Sequence, residues 1–167
     1  MVRPLLPDSH PMLRKVMPKF NFEDADARPS ARALANTLIE AMHYHGGIGL
    51  AANQIGIADR AFAMEHEGQT IVLFNPEITW LAIESIKLNE GCLSFGDLEL
   101  KISRPRECQV SYLDAEGKRK VIDLKGLSAR VALHETDHLD GIVFTSLVSR
   151  LKLDMAKKKM EKANKKA

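Results

Sequence analysis

Cysteine and aromatic residues are scarce in this sequence, and no long apolar run is present. The 167 residues include two cysteines, and aromatic residues make up 5% of the chain. A framework of several disulfides, as in small secreted scaffolds, is therefore excluded, and the core must consist mainly of aliphatic side chains. No run approaches the roughly 20 apolar residues that a membrane-spanning helix needs, so the sequence predicts no such helix.

The N-terminal residues also lack the features of a targeting segment. Prolines and charged residues interrupt residues 1–20, which leaves no continuous apolar stretch of the kind found in secretory signals. Transit peptides are poor in acidic residues, whereas Asp8, Glu23, Asp24 and Asp26 come early in this chain. We therefore expect a cytoplasmic protein without a leader.

Positive charge is concentrated at the C-terminal end. Residues 150–167 contain eight Lys and Arg against two acidic residues, whereas the rest of the chain contains 16 against 20. The net charges are therefore +6 and −4, and a block of like charge usually marks a solvated segment or a contact with nucleic acid. The length suits a single domain of about 100–200 residues. We expect this domain over residues 1–149 and a basic helix or tail over residues 150–167.

The order of predicted elements indicates an α+β domain. Apolar residues recur at helical spacing over residues 29–44, between Pro29 and Gly46, and a second helix is predicted over residues 127–140. A short helical piece is expected near residues 11–16, and a third full helix from about Leu147. Between the helices, turn signals separate five strand-like runs at residues 61–64, 70–74, 78–88, 109–113 and 120–124. The glycine-rich residues 45–56 are expected to lack a regular element.

The second predicted helix carries the pattern His134-Glu135-Thr136-Asp137-His138. Residues four apart lie on one face of a helix, so both imidazoles can bind one metal ion. Glu135 lies about 100° round the helix from His134, near the metal but free to act on its water. In a chain with six His and twelve Glu, the pattern arises by chance in roughly one or two sequences in a hundred. A third ligand is needed to support it.

Cys92 is the candidate third ligand. A catalytic site of the zinc type has three protein ligands and an open position for water. The acidic residues downstream of the histidines do not match the known extensions of the motif: Asp140, Asp154 and Glu161. As a thiolate, Cys92 would complete a Cys/His/His site, and as a thiol it would be a small buried hydrophobic residue.

Small residues fill residues 47–54, Gly-Ile-Gly-Leu-Ala-Ala-Asn-Gln. Such a segment allows a backbone or a ligand to approach closely. It lacks the Gly-Lys-Ser/Thr ending of a phosphate loop, and no clear strand precedes it. Taken alone, it indicates a tight turn more readily than a binding site.

Together these segments closely resemble the three signature motifs of the peptide deformylase family. They are residues 47–54, residues 90–94 (Glu-Gly-Cys-Leu-Ser) and residues 134–141 (His-Glu-Thr-Asp-His-Leu-Asp-Gly), in this order and spacing. Similar residues elsewhere, among them Leu6-Pro7 and Arg104-Pro105, extend the resemblance from about Leu5 to Leu147. The implied fold has small, mostly antiparallel sheets packed around a central helix that carries both histidines.

The resemblance implies one divalent metal ion, with Fe²⁺ as the native metal and Zn²⁺ or Ni²⁺ as substitutes. The implied ligands are Cys92, His134 and His138. Glu135 would be the catalytic acid/base, and the Gln54 amide with the backbone N–H of Leu93 would stabilise an oxyanion.

The resemblance also implies residues that bind substrate. Backbone groups of three residues would pair with an extended peptide, and two side chains would help to line a methionine pocket: Ile48, Gly49 and Gly91, then Leu127 and Val131. For the last two, plain packing in the core is an equally good interpretation.

The implied reaction is the hydrolysis of the N-formyl group from the N-terminal formylmethionine of nascent polypeptides, with release of formate. A formamide is stable at neutral pH, and a bound metal can lower the pKa of its water to about 7. The metal-bound water would attack the formyl carbon after Glu135 accepts its proton. Glu135 would then pass that proton to the leaving amine.

Two other functions stay open on the residues alone. A zinc peptidase could use the same helical motif, although an upstream Cys ligand argues against it. A non-catalytic metal module could bind the ribosome through the basic tail, but Glu135 and Gln54 have little purpose in such a module. Similar basic helices of bacterial family members dock on the ribosome, so the resemblance implies this partner for residues 150–167. Neither a membrane nor a specific nucleic-acid sequence is an expected partner.

Overall fold

Three helices and seven strands make up the fold, and the computed structural model describes residues 1–167. The helices are α1 (Ala27–Tyr44), α2 (Gly126–Leu139) and α3 (Arg150–Lys166). The strands are β1 (Gly49–Ala51), β2 (Ala61–His66), β3 (Gln69–Leu81), β4 (Ser85–Glu90), β5 (Leu100–Pro105), β6 (Glu107–Leu113) and β7 (Arg119–Lys125). Short 3-10 turns lie at Pro11–Arg14, Ala52–Ile55, Leu93–Phe95 and Phe144–Leu147.

Two antiparallel sheets surround α2. Five strands form one sheet in the order β1-β2-β3-β6-β7, and β4 pairs with β5 in the other. Helix α2 contacts strands of both sheets, among them β1, β2, β5 and β7. The predicted α+β class, the central helix with the histidines and the C-terminal helix are confirmed.

Strand β2 shows how the five-stranded sheet separates the two long helices. Successive side chains of a strand point to opposite faces. Ala61 and Ala63 accordingly join the apolar cluster around α1, whereas Phe62 and Met64 join the cluster around α2. The sheet therefore lies between α1 and α2, and the opposite face of α2 is directed towards β4 and β5.

Helix α1 begins two residues before the predicted position. Pro29 occupies its first turn, where a backbone N–H has no partner within the helix, so the missing N–H costs nothing. The helix ends at Tyr44, and Gly46 follows with a φ of +72°.

Helix α3 begins at Arg150, later than the expected Leu147, because the hydroxyl of Ser149 accepts from the backbone N–H of Lys152 and caps the helix there.

The expectation of no regular element in residues 45–56 is wrong. This segment contains β1 and the 3-10 turn Ala52–Ile55. Strand β1 pairs with β2, with Gly49 opposite Met64. Such pairing with a distant segment leaves no trace in local composition, since glycine is unfavourable in strands by itself.

The predicted run over residues 78–88 is divided between two sheets. Its first part ends β3, which pairs with β6, and its second part belongs to β4, which pairs with β5. Strand β5 itself was not predicted. Its buried residues alternate with exposed ones, but the third buried position is an arginine, Arg104, where an apolar residue is usual.

A third apolar cluster joins the C-terminal helix to the rest. Cys92, Leu98, Leu100, Ile102 and Phe144 are buried together, and Leu153, Ala156 and Met160 of α3 pack against them. No residue of α3 is itself buried. None of the helices combines the length and apolarity needed to cross a membrane.

Candidate active site

Cys92, His134 and His138 converge in the interior next to α2. Their ligand atoms all lie within 4.8 Å of one another, and Cys92 Sγ lies 3.2 Å from His138 Nε2. All three side chains are buried. Metal–ligand bonds of about 2.0–2.3 Å in a tetrahedral site put the ligand atoms roughly 3.5 Å apart. The three side chains can therefore hold one metal ion with little adjustment.

The orientation of His134 is fixed by Glu90, the last residue of β4. The imidazole Nδ1 donates to Glu90 Oε1 over 2.5 Å. A metal-binding histidine commonly donates its second ring N–H to a carboxylate in this way, which aims the other nitrogen at the metal. His134 Nε2 is therefore the nitrogen available for a metal.

Two buried arginines surround the Glu90 carboxylate. Arg104 donates to both carboxylate oxygens over 2.8 and 2.7 Å, and Arg130 donates to Oε2 over 2.9 Å. Burial opposes the charged form of Glu90, but hydrogen bonds from Arg104 and His134 outweigh it and lower its pKa well below the usual range. Glu90 is therefore ionised at neutral pH.

Arg104 also connects the two segments that carry the candidate ligands. Besides Glu90, its guanidinium binds the carboxylate of Asp137 over 2.8 Å. Glu90 lies two residues before Cys92, and Asp137 lies next to His138 on α2. One side chain of β5 therefore joins the Cys segment to the His helix.

This network of Glu90, Arg104 and Arg130 was not predicted as part of the site. One signal for it exists in the sequence. Arg104 continues the alternation of Leu100 and Ile102, so it lies on the buried face of the strand. A charged residue at such a position requires a buried partner of opposite charge. The sequence does not show which acid provides that charge.

The surroundings of His134 favour a positive charge, whereas burial and the charges of His134 and Arg104 lower the pKa of His138. Burial alone would lower the pKa of His134, but hydrogen bonds to Cys92 and Glu90 and the charge of Glu135 raise it to about 10. Surroundings that attract a proton this strongly also attract a metal cation. At His134 the electrostatics therefore agree with the geometry, and the lowered pKa of His138 keeps its imidazole neutral, which is the form that binds a metal.

Glu135 is buried beside the ligand set, and its Oε2 has no hydrogen-bond partner. Burial raises the pKa of this carboxyl to about 7, against the opposing effect of His134. Strand β1 approaches closely, because a Cβ at Gly49 would lie 2.6 Å from Glu135 Oε1. A carboxyl group with a pKa near neutrality and an unpaired oxygen is suited to accept and return a proton.

The Gln54 amide is held in one orientation by its own 3-10 turn. Its Oε1 accepts from the backbone N–H of Ala51 over 2.9 Å. Its Nε2 consequently points towards Ser94 Oγ at 3.1 Å and Cys92 Sγ at 3.6 Å. The N–H donors of Gln54 thus lie next to the candidate metal ligands.

A cavity of about 330 Å³ opens onto this arrangement. Of the eleven predicted site residues, ten line it: Ile48, Gly49, Gln54, Gly91, Cys92, Leu93, Leu127, Val131, His134 and Glu135. His138 lies behind them, within reach of Cys92. Core packing is the wrong interpretation for Leu127, which is 64% exposed, whereas Val131 both lines the cavity and belongs to the core cluster.

Known proteins are similar to this chain in sequence and in fold. The model of the family described as polypeptide deformylase matches residues 2–154. A peptide deformylase of Rhizobium meliloti is 37% identical over 169 residues, which cover 98% of this chain and 95% of the relative.

Two solved structures have the same architecture. A peptide deformylase from Legionella pneumophila superposes with a TM-score of 0.86 at 32% identity, covering 99% of this chain and 96% of that one. A class I type b peptide deformylase from Acinetobacter baumannii, bound to Met-Ala-Ser, has a TM-score of 0.84 at 26% identity, covering 89% and 99%. The chain belongs to the polypeptide deformylase family.

Proposed function

We propose that this chain performs the reaction of its family, the metal-dependent hydrolysis of the N-formyl group of formylmethionyl peptides, at the cavity beside α2. One observation carries the assignment of the site. Glu135, which has a buried carboxylate oxygen without a partner, lines a cavity next to the buried set of Cys92, His134 and His138. A proton carrier adjacent to a three-ligand metal site is what hydrolysis by an activated water requires.

The charge balance supports a divalent cation at the three ligands. The four charged side chains of the surrounding network cancel: Glu90, Arg104, Arg130 and Asp137. Two negative charges are then left when Cys92 is a thiolate and Glu135 is ionised. Uncompensated buried charge is costly, so a cation of charge +2 completes the site.

We propose Fe²⁺ as the native metal, as the family resemblance implies, with Zn²⁺ or Ni²⁺ as substitutes that the same donor set accepts. One thiolate sulfur and two imidazole nitrogens are ligands that all three metals accept. The negative thiolate of Cys92 makes the ion a weaker Lewis acid than three neutral ligands would.

In the proposed reaction, Glu135 moves the proton. A divalent ion bound by the three ligands supplies a water of lowered pKa and polarises the formyl oxygen. Glu135 accepts the proton of the attacking water on its carboxylate and later gives it to the nitrogen of the leaving amine. The pKa of Glu135, raised by burial to about 7, suits both transfers.

Gln54 and Leu93 are the proposed donors to the oxyanion that develops on the formyl oxygen. The bond between Gln54 Oε1 and the N–H of Ala51 fixes the amide and keeps its Nε2 beside the candidate metal ligands, where one N–H would exchange its present partner for the oxyanion. Leu93 begins the turn Leu93–Phe95, and the first N–H groups of such a turn have no partner within it. Each well-placed donor of this kind typically contributes about 3–4 kcal/mol to transition-state stabilisation.

The open edge of β1 is the proposed binding site for the peptide backbone. The Ile48 carbonyl accepts from the N–H of Glu65 of β2, and successive residues of a strand turn their backbone groups to alternate edges. Gly49 consequently presents its N–H and C=O to the edge opposite β2. The substrate can pair there as an added strand, with Gly91 across the cavity and the Ile48 side chain contributing apolar contact.

The test is formate release from formyl-Met-Ala-Ser. The protein is purified without oxygen and loaded in turn with Fe²⁺, Ni²⁺ or Zn²⁺. We expect turnover that Glu135→Gln lowers at least 10³-fold, since the proton carrier is lost while the shape is kept. Glu40→Gln, on the exposed surface of α1, is the matched control and should leave turnover unchanged.

Three results would count against the proposal. Absence of formate release with metal bound would reject the reaction, and full activity of Glu135→Gln would reject the role of that residue. Cleavage of unformylated peptides would favour the zinc peptidase instead.

We further propose that residues 1–149 form the catalytic unit and that residues 150–167 contact the ribosome in the cytoplasm. Helix α3 has no buried residue and carries eight basic side chains against two acidic ones, which suits a polyanionic surface. Replacing Lys157, Lys158 and Lys159 by Gln should weaken co-sedimentation with ribosomes and leave formate release intact. If the unaltered protein and the triple variant co-sediment equally with ribosomes at low and moderate salt, the proposed contact is contradicted.

A further inference from the structure

Arg130 is built into the wall of the cavity, between two apolar residues. It lies on α2 and is only 6% exposed, and Leu127 and Val131 line the cavity on either side of it. His134 follows one helical turn later on the same face of α2. A charged side chain thus forms part of the region that is otherwise suited to an apolar group.

Three hydrogen bonds hold the guanidinium of Arg130 in place. Its Nη1 donates to Glu90 Oε2 over 2.9 Å and to the carbonyl of Ile102 over 3.0 Å, and its Nη2 donates to the carbonyl of Ile86 over 2.7 Å. A guanidinium has five N–H groups, so the Nε–H and one N–H on Nη2 are left over. The remaining donors are fixed in direction because the plane of the group is fixed.

Arg130 lines the cavity, and its Nε–H is one of the two donors left over. It makes no hydrogen bond within the chain, yet Nε is not among the side-chain atoms that are sealed from solvent without a partner. A ligand that displaces solvent from this donor without supplying an acceptor leaves the donor buried and unpaired, which costs free energy. A ligand that brings an acceptor to this point therefore binds more tightly than one that does not.

The distance from the metal ligands to Arg130 matches the length of a methionine side chain. His134 and Arg130 are four residues apart on α2, a rise of about 6 Å, and their side chains bind the same carboxylate, that of Glu90. In formylmethionine, five bonds of about 1.5 Å join the formyl carbon to the sulfur, which gives a reach of about 6 Å in a bent chain. With its formyl group at the metal ligands, the substrate can therefore bring its sulfur to the level of Arg130.

We propose that Arg130 donates a hydrogen bond to the sulfur of the substrate's methionine and so distinguishes methionine from a hydrocarbon side chain of equal length. This proposal rests on the function proposed above. A thioether sulfur is a weak acceptor, and a cationic donor strengthens such a bond. Norleucine, with CH₂ in place of sulfur, fills the same space but leaves the Arg130 donor unpaired.

The test compares the two side chains in binding and in turnover. Calorimetry measures the affinity of the metal-loaded protein for Met-Ala-Ser and for Nle-Ala-Ser, and formate release is measured with the two formylated peptides. We expect the methionine peptide to bind about 5-fold more tightly and to show a kcat/KM about 5-fold higher. Because a ratio of two substrates does not depend on the fraction of active protein, partial loss of metal does not affect it.

Two variants of Arg130 remove the preference in different ways. Arg130→Met removes all donors, and we expect both ratios to fall to about 1. Arg130→Lys keeps a positive charge beside Glu90, but its three N–H groups are matched by the three acceptors that Arg130 already binds, so the ratios should fall here too. Leu127→Ala, the control, should weaken both peptides equally and keep the ratio near 5.

The outcomes separate this inference from the proposed reaction. Equal binding of the two peptides by the unaltered protein, or an undiminished ratio in both variants, would overturn the role of Arg130. Turnover of neither formyl peptide, together with a 5-fold preference in binding that Arg130→Met abolishes, would reject the reaction and support Arg130 as the residue that recognises sulfur.

Discussion

A Cβ atom at Gly49 would lie 2.6 Å from Oε1 of Glu135, so β1 and α2 touch at the point where the proposed proton carrier is held. We expect Gly49→Ala to destabilise the protein by about 1–3 kcal/mol, because neither the strand nor the buried carboxyl can move away without disturbing the core. The melting temperature and formate release should both fall.

Gly91→Ala is the matched comparison for that substitution. A Cβ at Gly91 would come no nearer than 3.8 Å to its neighbours, and its φ is negative or extended. The melting temperature of Gly91→Ala should therefore stay within about 2 °C of that of the unaltered protein. A similar loss of stability in both variants would show that the contact with Glu135 is not the cause.

Removal of the Glu90 carboxylate should loosen the metal. In Glu90→Gln, His134 loses the partner that orients it, and Arg104 and Arg130 lose their shared anion. We expect metal affinity to fall about 10–100-fold in competition with a coloured chelator. Glu84→Gln, which breaks an exposed pair with Arg106, is the control, and an equal effect of both would contradict the proposed orientation of His134.

Glu90 should also make stability depend on pH in the acid range. Its pKa in the folded protein is well below that of an unfolded glutamate, near 4.3. The unfolded state therefore binds more protons in this range, so the contribution of Glu90 is complete above about pH 5 and declines as the pH falls below that. Melting curves from pH 7 to pH 3 should show a gap between the unaltered protein and Glu90→Gln that narrows with acidity. A constant gap would contradict this account.

The two cysteines should differ sharply towards thiol reagents. Burial raises the pKa of Cys108 to about 11, so its thiol is protonated and inaccessible at pH 8. Cys92 lines the cavity, and we expect iodoacetamide to label it in the metal-free protein but not after Zn²⁺ is added. Mass spectrometry of the labelled peptides, with urea as the control that exposes both, provides the measurement. Labelling of Cys108 in the folded protein would refute the prediction.

Part of the proposed site was predictable, because the spacing of residues along a helix fixes their spacing in the fold. His134, Glu135 and His138 follow from helical geometry alone. Cys92 was a candidate ligand by its residue type, but its assignment and that of Gln54 depended on the resemblance of their motifs. Nothing in a single sequence shows that residues about 40 and 80 positions from the helix return to it. Their convergence on one cavity was therefore an expectation about the fold.

The supporting residues could not be found in the same way. An arginine is normally predicted to lie on the surface, so Arg104 and Arg130 could be placed only once their strand and helix faces were known to be buried. Strand β5 was missed because Arg104 interrupts its apolar pattern. The position of Leu127 was equally ambiguous: helical spacing gives it the same face as Val131, but only the arrangement of the neighbouring strands leaves it exposed at the cavity.

Cys92 and His138 are 46 positions apart in the sequence, so an ion bound by both would cross-link the end of β4 to the last turn of α2. Binding to the folded state alone stabilises it by mass action, and the melting temperature should rise with metal concentration. Unfolded chains are the ones that proteases remove. A cell short of the bound metal would therefore hold fewer molecules of this protein, as well as less activity per molecule.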